Sequence, residues 1–236
     1  MARISGLLVL LAFLGGFGRC WAAGSAEGVA LMIVYDTSGS MQQKVRDADG
    51  KLTPKHLIAS RALTAVLNRL QAVRTGPAGT KPLIHAGMVV FEGDHAGIAV
   101  KCGPFDPEPF RDWLARYGNF QRGTPLGDAV RLAGESVLES KLPRKHVLVI
   151  TDGINTRGPD PKVTLPQLQR EAERQQAAVS FHFVAFDVNA AEFSAVKKLG
   201  ATVVAASDEK QLDSQLQFIL EKKILLEDEE PATSKQ

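Results

Sequence analysis

Every residue from Val29 to Tyr35 is apolar or aromatic. A run without polar alternation is what a central strand covered on both faces needs, so an interior parallel strand is predicted there. Leu57, Ile58, Leu63, Val66, Leu67 and Leu70 recur on a helical period and predict a helix over 56–70 packed on the sheet. Strands are expected at 85–91 and 97–100, joined through Gly93 and Asp94 as a hairpin, which would leave one strand antiparallel at an edge. A short helix at 110–117, a helix at 128–140 and a buried strand at 146–150 follow. The chain then alternates again: helix 165–176, strand 179–186, helix 192–199, strand 202–205 and a closing amphipathic helix 208–223. Such alternation predicts one α/β domain over 27–223, a doubly wound and mostly parallel sheet flanked by helices.

The stretches between and beyond these elements read differently. Residues 41–54 are polar and predict a loop; Asp47-Ala-Asp49-Gly50 within it matches only the opening of a calcium-binding hand and reads as a turn. Gly76-Pro77-Ala-Gly79 breaks the chain before the second strand. Arg3, a short apolar run and small residues at Ala22 and Ala23 predict a signal peptide over 1–22, with an uncleaved anchor as the alternative. Residues 224–236 are acidic, have little to bury and are expected to be a disordered tail.

Composition is that of an ordinary globular protein, with 44% hydrophobic and 23% charged residues. Removing Arg3 and Arg19 with the signal peptide reduces 28 basic residues to 26 against 26 acidic. A neutral mature chain offers no net attraction for nucleic acid or an acidic membrane. Cys20 lies in the leader, which leaves Cys102 unpaired and expected as a buried small residue. The five histidines are scattered without helical spacing or a cysteine partner, so a zinc site is not expected; His146 and His182 read as satisfied structural residues at strand edges.

Candidate chemistry lies where strands end. The first strand runs straight into Asp36-Thr-Ser38-Gly-Ser40, the pattern D-x-S-x-S. Alternate residues of an extended segment share a side, so one carboxylate and two hydroxyls can converge on a point. Three hard oxygen donors suit a magnesium-type cation. The strand at 146–150 likewise ends in Thr151-Asp152-Gly153, and in an open α/β sheet ligands gather beyond the carboxyl ends of the strands. Each piece has a plainer alternative: Asp36 as a helix cap, Thr124 before Pro125 as a helix boundary, Asp152 before Gly153 as a turn residue.

With D-T-S-G-S at 36–40, T-P-L-G at 124–127 and T-D-G at 151–153, the chain resembles the von Willebrand factor type A domain, in its bacterial branch. The resemblance implies a metal-ion-dependent adhesion site. Ser38 and Ser40 would bind the ion through their hydroxyls, Thr124 directly or through water, and Asp36 and Asp152 would hold bound waters. The ion implied is Mg2+, with Mn2+ or Ca2+ as alternatives, and its open position takes a Glu or Asp of a protein partner. The resemblance thus implies a protein-binding module, not an enzyme; the signal peptide makes it secreted or periplasmic, and it is expected to be monomeric on its own. The alternative is a metal-dependent hydrolase or phosphoryl-transfer enzyme using Asp36, against which stands the absence of a carboxylate two residues on, where Ser38 is found, and of any Ser-His-Asp set. In a third reading the ion only stiffens the loops.

Overall fold

The computed structural model describes residues 28–75 and 82–226. The signal peptide expected at 1–22, the break at 76–79 and the tail from 227 onward lie outside the described residues. Strand β1 (Gly28–Tyr35) is buried along its whole length. It pairs in parallel with β4 (Leu83–Glu92) on one side and with β6 (Arg144–Thr151) on the other. Strand β5 (His95–Pro104) runs antiparallel to β4 at one edge. On the other side β7 (Val179–Phe186) and β8 (Thr202–Ala206) continue in parallel, which makes the order β5-β4-β1-β6-β7-β8. The α/β class and the antiparallel edge strand are as the sequence predicts. The half-buried Cys102 lies on that edge strand, more accessible than a core residue.

Alternate residues of β1 feed two separate cores. Leu31 and Ile33 pack with Leu148 and Ile150 beneath Ile58, Leu63 and Leu67 of α1 (Lys55–Thr75) and Leu212 and Leu216 of α6 (Glu209–Ile219). Met32 and Val34 face the other way, with Val147 and Val149, toward Ala129, Val130 and Val137 of α3 (Leu126–Leu138) and Leu165 and Leu168 of α4 (Pro161–Arg174). Cover on both faces explains why the strand carries no polar position. Each fully buried Leu, Ile or Val contributes roughly 1.5–3 kcal/mol relative to exposure. Helices α2 (Glu108–Arg116) and α5 (Ser194–Lys198) close the margins through Phe110 and Val196.

Strand β5 and helix α1 run longer than expected, and the helix expected at 192–199 is a 3-10 turn followed by the short α5. Three further departures have clear causes. Residues 41–54 are not an open loop: after a 3-10 turn at Gly39–Gln42, β2 (Lys44–Arg46) and β3 (Leu52–Pro54) form an antiparallel hairpin. Asp47 makes its turn, accepting the N–H groups of Asp49 and Lys51, and Gly50 supplies a φ of 80°. Helix α4 starts at Pro161 rather than 165, because Asp160 caps the Lys162 N–H at 2.9 Å; Pro166 then sits inside the helix at the loss of one backbone bond. A π-helical turn, Leu220–Leu225, carries the last helix past Lys223, since Ile224 still has core to fill.

Candidate functional site

In the sheet order, the chain leaves β1 toward β4 on one side and later toward β6 on the other. The reversal opens a crevice beyond the carboxyl ends of β1 and β6. Asp36 follows β1 directly and is fully buried. Its Oδ1 accepts the Ser38 N–H at 2.7 Å, and its Oδ2 accepts the Thr151 hydroxyl at 2.6 Å and the Asp152 N–H at 3.4 Å. Burial and then the neighbouring Asp152 charge push its pKa up to about 6, against the pull of the bonds from Ser38 and Thr151. Thr37 points away, exchanging hydrogen bonds with the backbone of Phe91 at 2.7 and 3.0 Å, and so pins the alternation that sends Asp36 and Ser38 to the same side.

The serine hydroxyls lie 2.9 Å apart, and Ser40 donates to Asp152 Oδ1 at 2.7 Å. Asp36, Ser38, Ser40 and Asp152 are therefore linked in one oxygen-lined cluster between two strand ends. No side chain caps the 3-10 turn or α3, although Thr124 does stand at the boundary of α3, one residue before its N-cap Pro125. Thr124 stands beside the cluster without joining its hydrogen bonds. Its hydroxyl is 3.7 Å from where a side chain on Gly153 would begin. The loop that carries it is clamped to the one after β6: Thr124 N–H donates to Thr156 Oγ1 at 2.9 Å, Thr156 N–H returns to the Thr124 carbonyl at 3.0 Å, and Gly127 N–H donates to Asn155 at 3.1 Å.

Two members of this neighbourhood have no counterpart in the sequence reading. Lys55, the first residue of α1, is buried with its ammonium 3.0 Å from Asp152 Oδ2 and 2.8 Å from Asp187 Oδ2; it also donates to Gln43 Oε1 at 3.2 Å. Burial works against the ammonium, but the hydrogen bonds and charges of Asp187 and Asp152 outweigh it and hold its pKa above the ordinary lysine value. Asp187 follows β7, the third strand to end in aspartate, and this repetition was a signal available in the sequence. Lys55 carried none, because a lysine at the head of an amphipathic helix is usually solvated.

The histidines are not all scattered. His146 and His182 stack with centroids 5.5 Å apart, and His146 Nδ1 lies 3.2 Å from His182 Nε2, inside the sheet on adjacent strands. Burial comes first and neighbouring positive charge second in lowering their pKa values to about 3 and about 4. His182 Nδ1 is buried without a hydrogen-bond partner, so this ring is not the satisfied residue the sequence suggests. The pair lies away from the crevice, toward the start of β6.

Oxygen chemistry dominates the crevice. Among the described residues no three His, Cys, Asp or Glu side chains gather into a metal-binding group. A cation held here would rest on hydroxyls of Ser38, Ser40 and Thr124, on the carboxylates of Asp36 and Asp152, and on water, a donor set that fits a hard divalent ion. The rim carries the half-exposed Ile154 and an aromatic shelf in which Trp113 stacks on Tyr117 at 4.4 Å and Tyr117 meets Phe120 edge-on at 5.2 Å.

No protein-family model and no curated protein sequence matches the chain. Solved structures do. The chain is similar to the PilB minor pilin of Streptococcus sanguinis, with a TM-score of 0.64 and 15% identity over 84% of this chain and 62% of that one. It is similar to the SpRpn10 VWA domain, with a TM-score of 0.58 and 11% identity over 80% of this chain and 93% of the other. Proximal thread matrix protein 1 of the mussel byssus, solved with a zinc-occupied MIDAS motif, aligns with a TM-score of 0.58 and 16% identity over 82% of this chain and 47% of its own. The chain spans less than two thirds of the pilin and less than half of the mussel protein. At these identities the likeness concerns the fold, and the fold of this chain is like that of von Willebrand factor type A domains.

Proposed function

We propose that the crevice is a metal-ion-dependent adhesion site and that the protein is a binding module rather than an enzyme. Ser38, Ser40 and Thr124 offer hydroxyl oxygens to the ion, and Asp36 and Asp152 supply negative charge and hold its waters. Magnesium is the ion we favour, with manganese or calcium as alternatives. Bound there, a hard divalent cation supplies an electrophilic position that a partner's Glu or Asp can fill, since its direct hydroxyl and water ligands are uncharged and donate weakly.

The observation that carries this reading is the hydrogen bond from Ser40 to Asp152, which joins the ends of β1 and β6 into one oxygen cluster. The zinc-occupied MIDAS motif of the structurally similar mussel protein supports a divalent ion at such a place. The enzyme alternative is weakened by Asp36, whose two oxygens are buried and both engaged, leaving a poor nucleophile. We further propose an exported location, periplasmic or extracellular, on the signal peptide expected at 1–22.

The test is calorimetric titration of magnesium into wild type and Asp36→Asn, without and with acetate as a stand-in carboxylate. Saturable binding, lost in the variant and strengthened by acetate, is expected. Binding that Asp36→Asn leaves intact would overturn the assignment of the site.

A further inference from the structure

Lys55 is in an unusual place for a lysine. It is 2% exposed, and its ammonium spends its donors on Asp152, Asp187 and Gln43. Asp152 is shared: Oδ2 accepts from Lys55 while Oδ1 accepts from Ser40. Asp187 adopts a φ of 54°, a left-handed conformation uncommon for a residue with a side chain, with its N–H bonded to the Ala206 carbonyl at 2.7 Å. An aspartate kept in such a conformation and aimed at a buried lysine points to a demand for charge at that spot. Counting charges, Asp36, Asp152 and Asp187 in their ionised forms carry three negative and Lys55 one positive. The balance matches one divalent cation.

Resting on the metal-site reading above, we propose that Lys55 is a built-in counter-cation of the site. Its ammonium holds Asp152 in place when no ion is present, and it competes with the ion for that carboxylate. The ion is therefore held weakly until an incoming carboxylate adds negative charge, so that loading of the metal and capture of the partner are coupled. Asp187 serves as the anchor that keeps the ammonium inside the crevice. Lys55 and Asp187 thus set affinity without touching the ion.

Charge and shape separate in three variants. Lys55→Met keeps the buried stem and removes the charge, Lys55→Arg keeps the charge, and Lys55→Met/Asp187→Asn removes one charge of each sign and restores the balance. Magnesium affinity is read by calorimetry, and thermal unfolding is followed in chelator and in excess magnesium. Lys55→Met is expected to bind magnesium at least tenfold more tightly than wild type, to melt lower in chelator and to regain more on adding the ion. Lys55→Arg and the double variant are expected within about threefold of wild type. The acetate enhancement should shrink in Lys55→Met, because the ion no longer has to compete with the ammonium for Asp152.

If wild type binds magnesium and Lys55→Met binds it equally or more weakly, Lys55 is only a positioning contact; the counter-cation proposal falls while the metal site stands. Binding by Lys55→Met alone supports the proposal, the lysine then being the barrier to loading. Absence of binding in wild type and in every variant removes the metal site and this proposal with it.

Discussion

The Ser40 hydroxyl donates to Asp152 across 2.7 Å, between residues 112 apart in the chain. That bond ties the turn after β1 to the turn after β6, and the proposed ion would compete for both of its oxygens. Ser40→Ala should therefore cost about 1 kcal/mol of stability in chelator, the usual net value of one hydrogen bond. In magnesium the gap to wild type should widen, because the variant also loses a ligand. Urea unfolding in the two buffers measures both; an equal gap would argue that Ser40 is only structural.

Gly127 closes the loop that begins at Thr124. A side chain built on it would meet the Pro159 carbonyl oxygen at 1.9 Å, with backbone on both sides of the contact. Gly127→Ala must push apart the two loops that clamp Thr124, at about 3 kcal/mol or more. A drop in the urea midpoint, with weaker magnesium binding at temperatures where the variant remains folded, is the expected result. A variant as stable as wild type would show that the 159–160 segment gives way freely.

Glu209 anchors the hairpin of β2 and β3. Its carboxylate accepts Arg61 at 2.7 and 2.9 Å and the Ala48 N–H at 2.8 Å, and the Arg61 hydrogen bond is the first cause holding its pKa below the usual carboxylate range. Glu209→Gln should cost ~2 kcal/mol, since the charge is lost and a single amide oxygen remains where two carboxylate oxygens accepted from Arg61 and Ala48. The local signature is faster amide hydrogen exchange at Ala48 and along 44–46. Unchanged exchange there would place the anchor elsewhere.

The stacked histidines make stability depend on pH. Their folded pKa values, about 3 and about 4, lie below the ordinary 6.5, so the unfolded chain binds more protons between those limits. Stability is then fully present above pH 6.5 and is lost as pH falls through 6.5 toward 4, at about 2 kcal/mol per ring between pH 7.5 and 5. Asp36, with its raised pKa, acts in the opposite direction and is common to wild type and variant. Comparing wild type with His182→Leu by urea unfolding at both pH values isolates the histidine contribution; the variant should lose distinctly less on acidification.

How much could be read in advance depends on the range over which each feature is specified. Val29–Tyr35 announced a central strand because burial on both faces leaves its mark in consecutive residues. The hairpin of β4 and β5 was legible from its short glycine-containing turn. Asp36, Ser38 and Ser40 were legible together because period-two geometry is local. The hairpin of β2 and β3 was not, since its polar strands are held by Glu209 of a distant helix rather than by their own pattern.

The amino-acid sequence by itself determined the order of strands and helices, the mostly parallel sheet and the hydroxyl and carboxylate groups at two strand ends. Apolar periodicity and turn residues act within a few positions, and these features need nothing more. Only the tertiary structure decided that Lys55 lies between Asp152 and Asp187, that His146 stacks on His182, and that Gly127 has no room for a side chain. Each depends on pairing between segments far apart in the chain, where the residue types involved are as common on solvated surfaces as in a buried crevice. Their meaning comes from burial and from the few ångströms between charges, which no local pattern encodes.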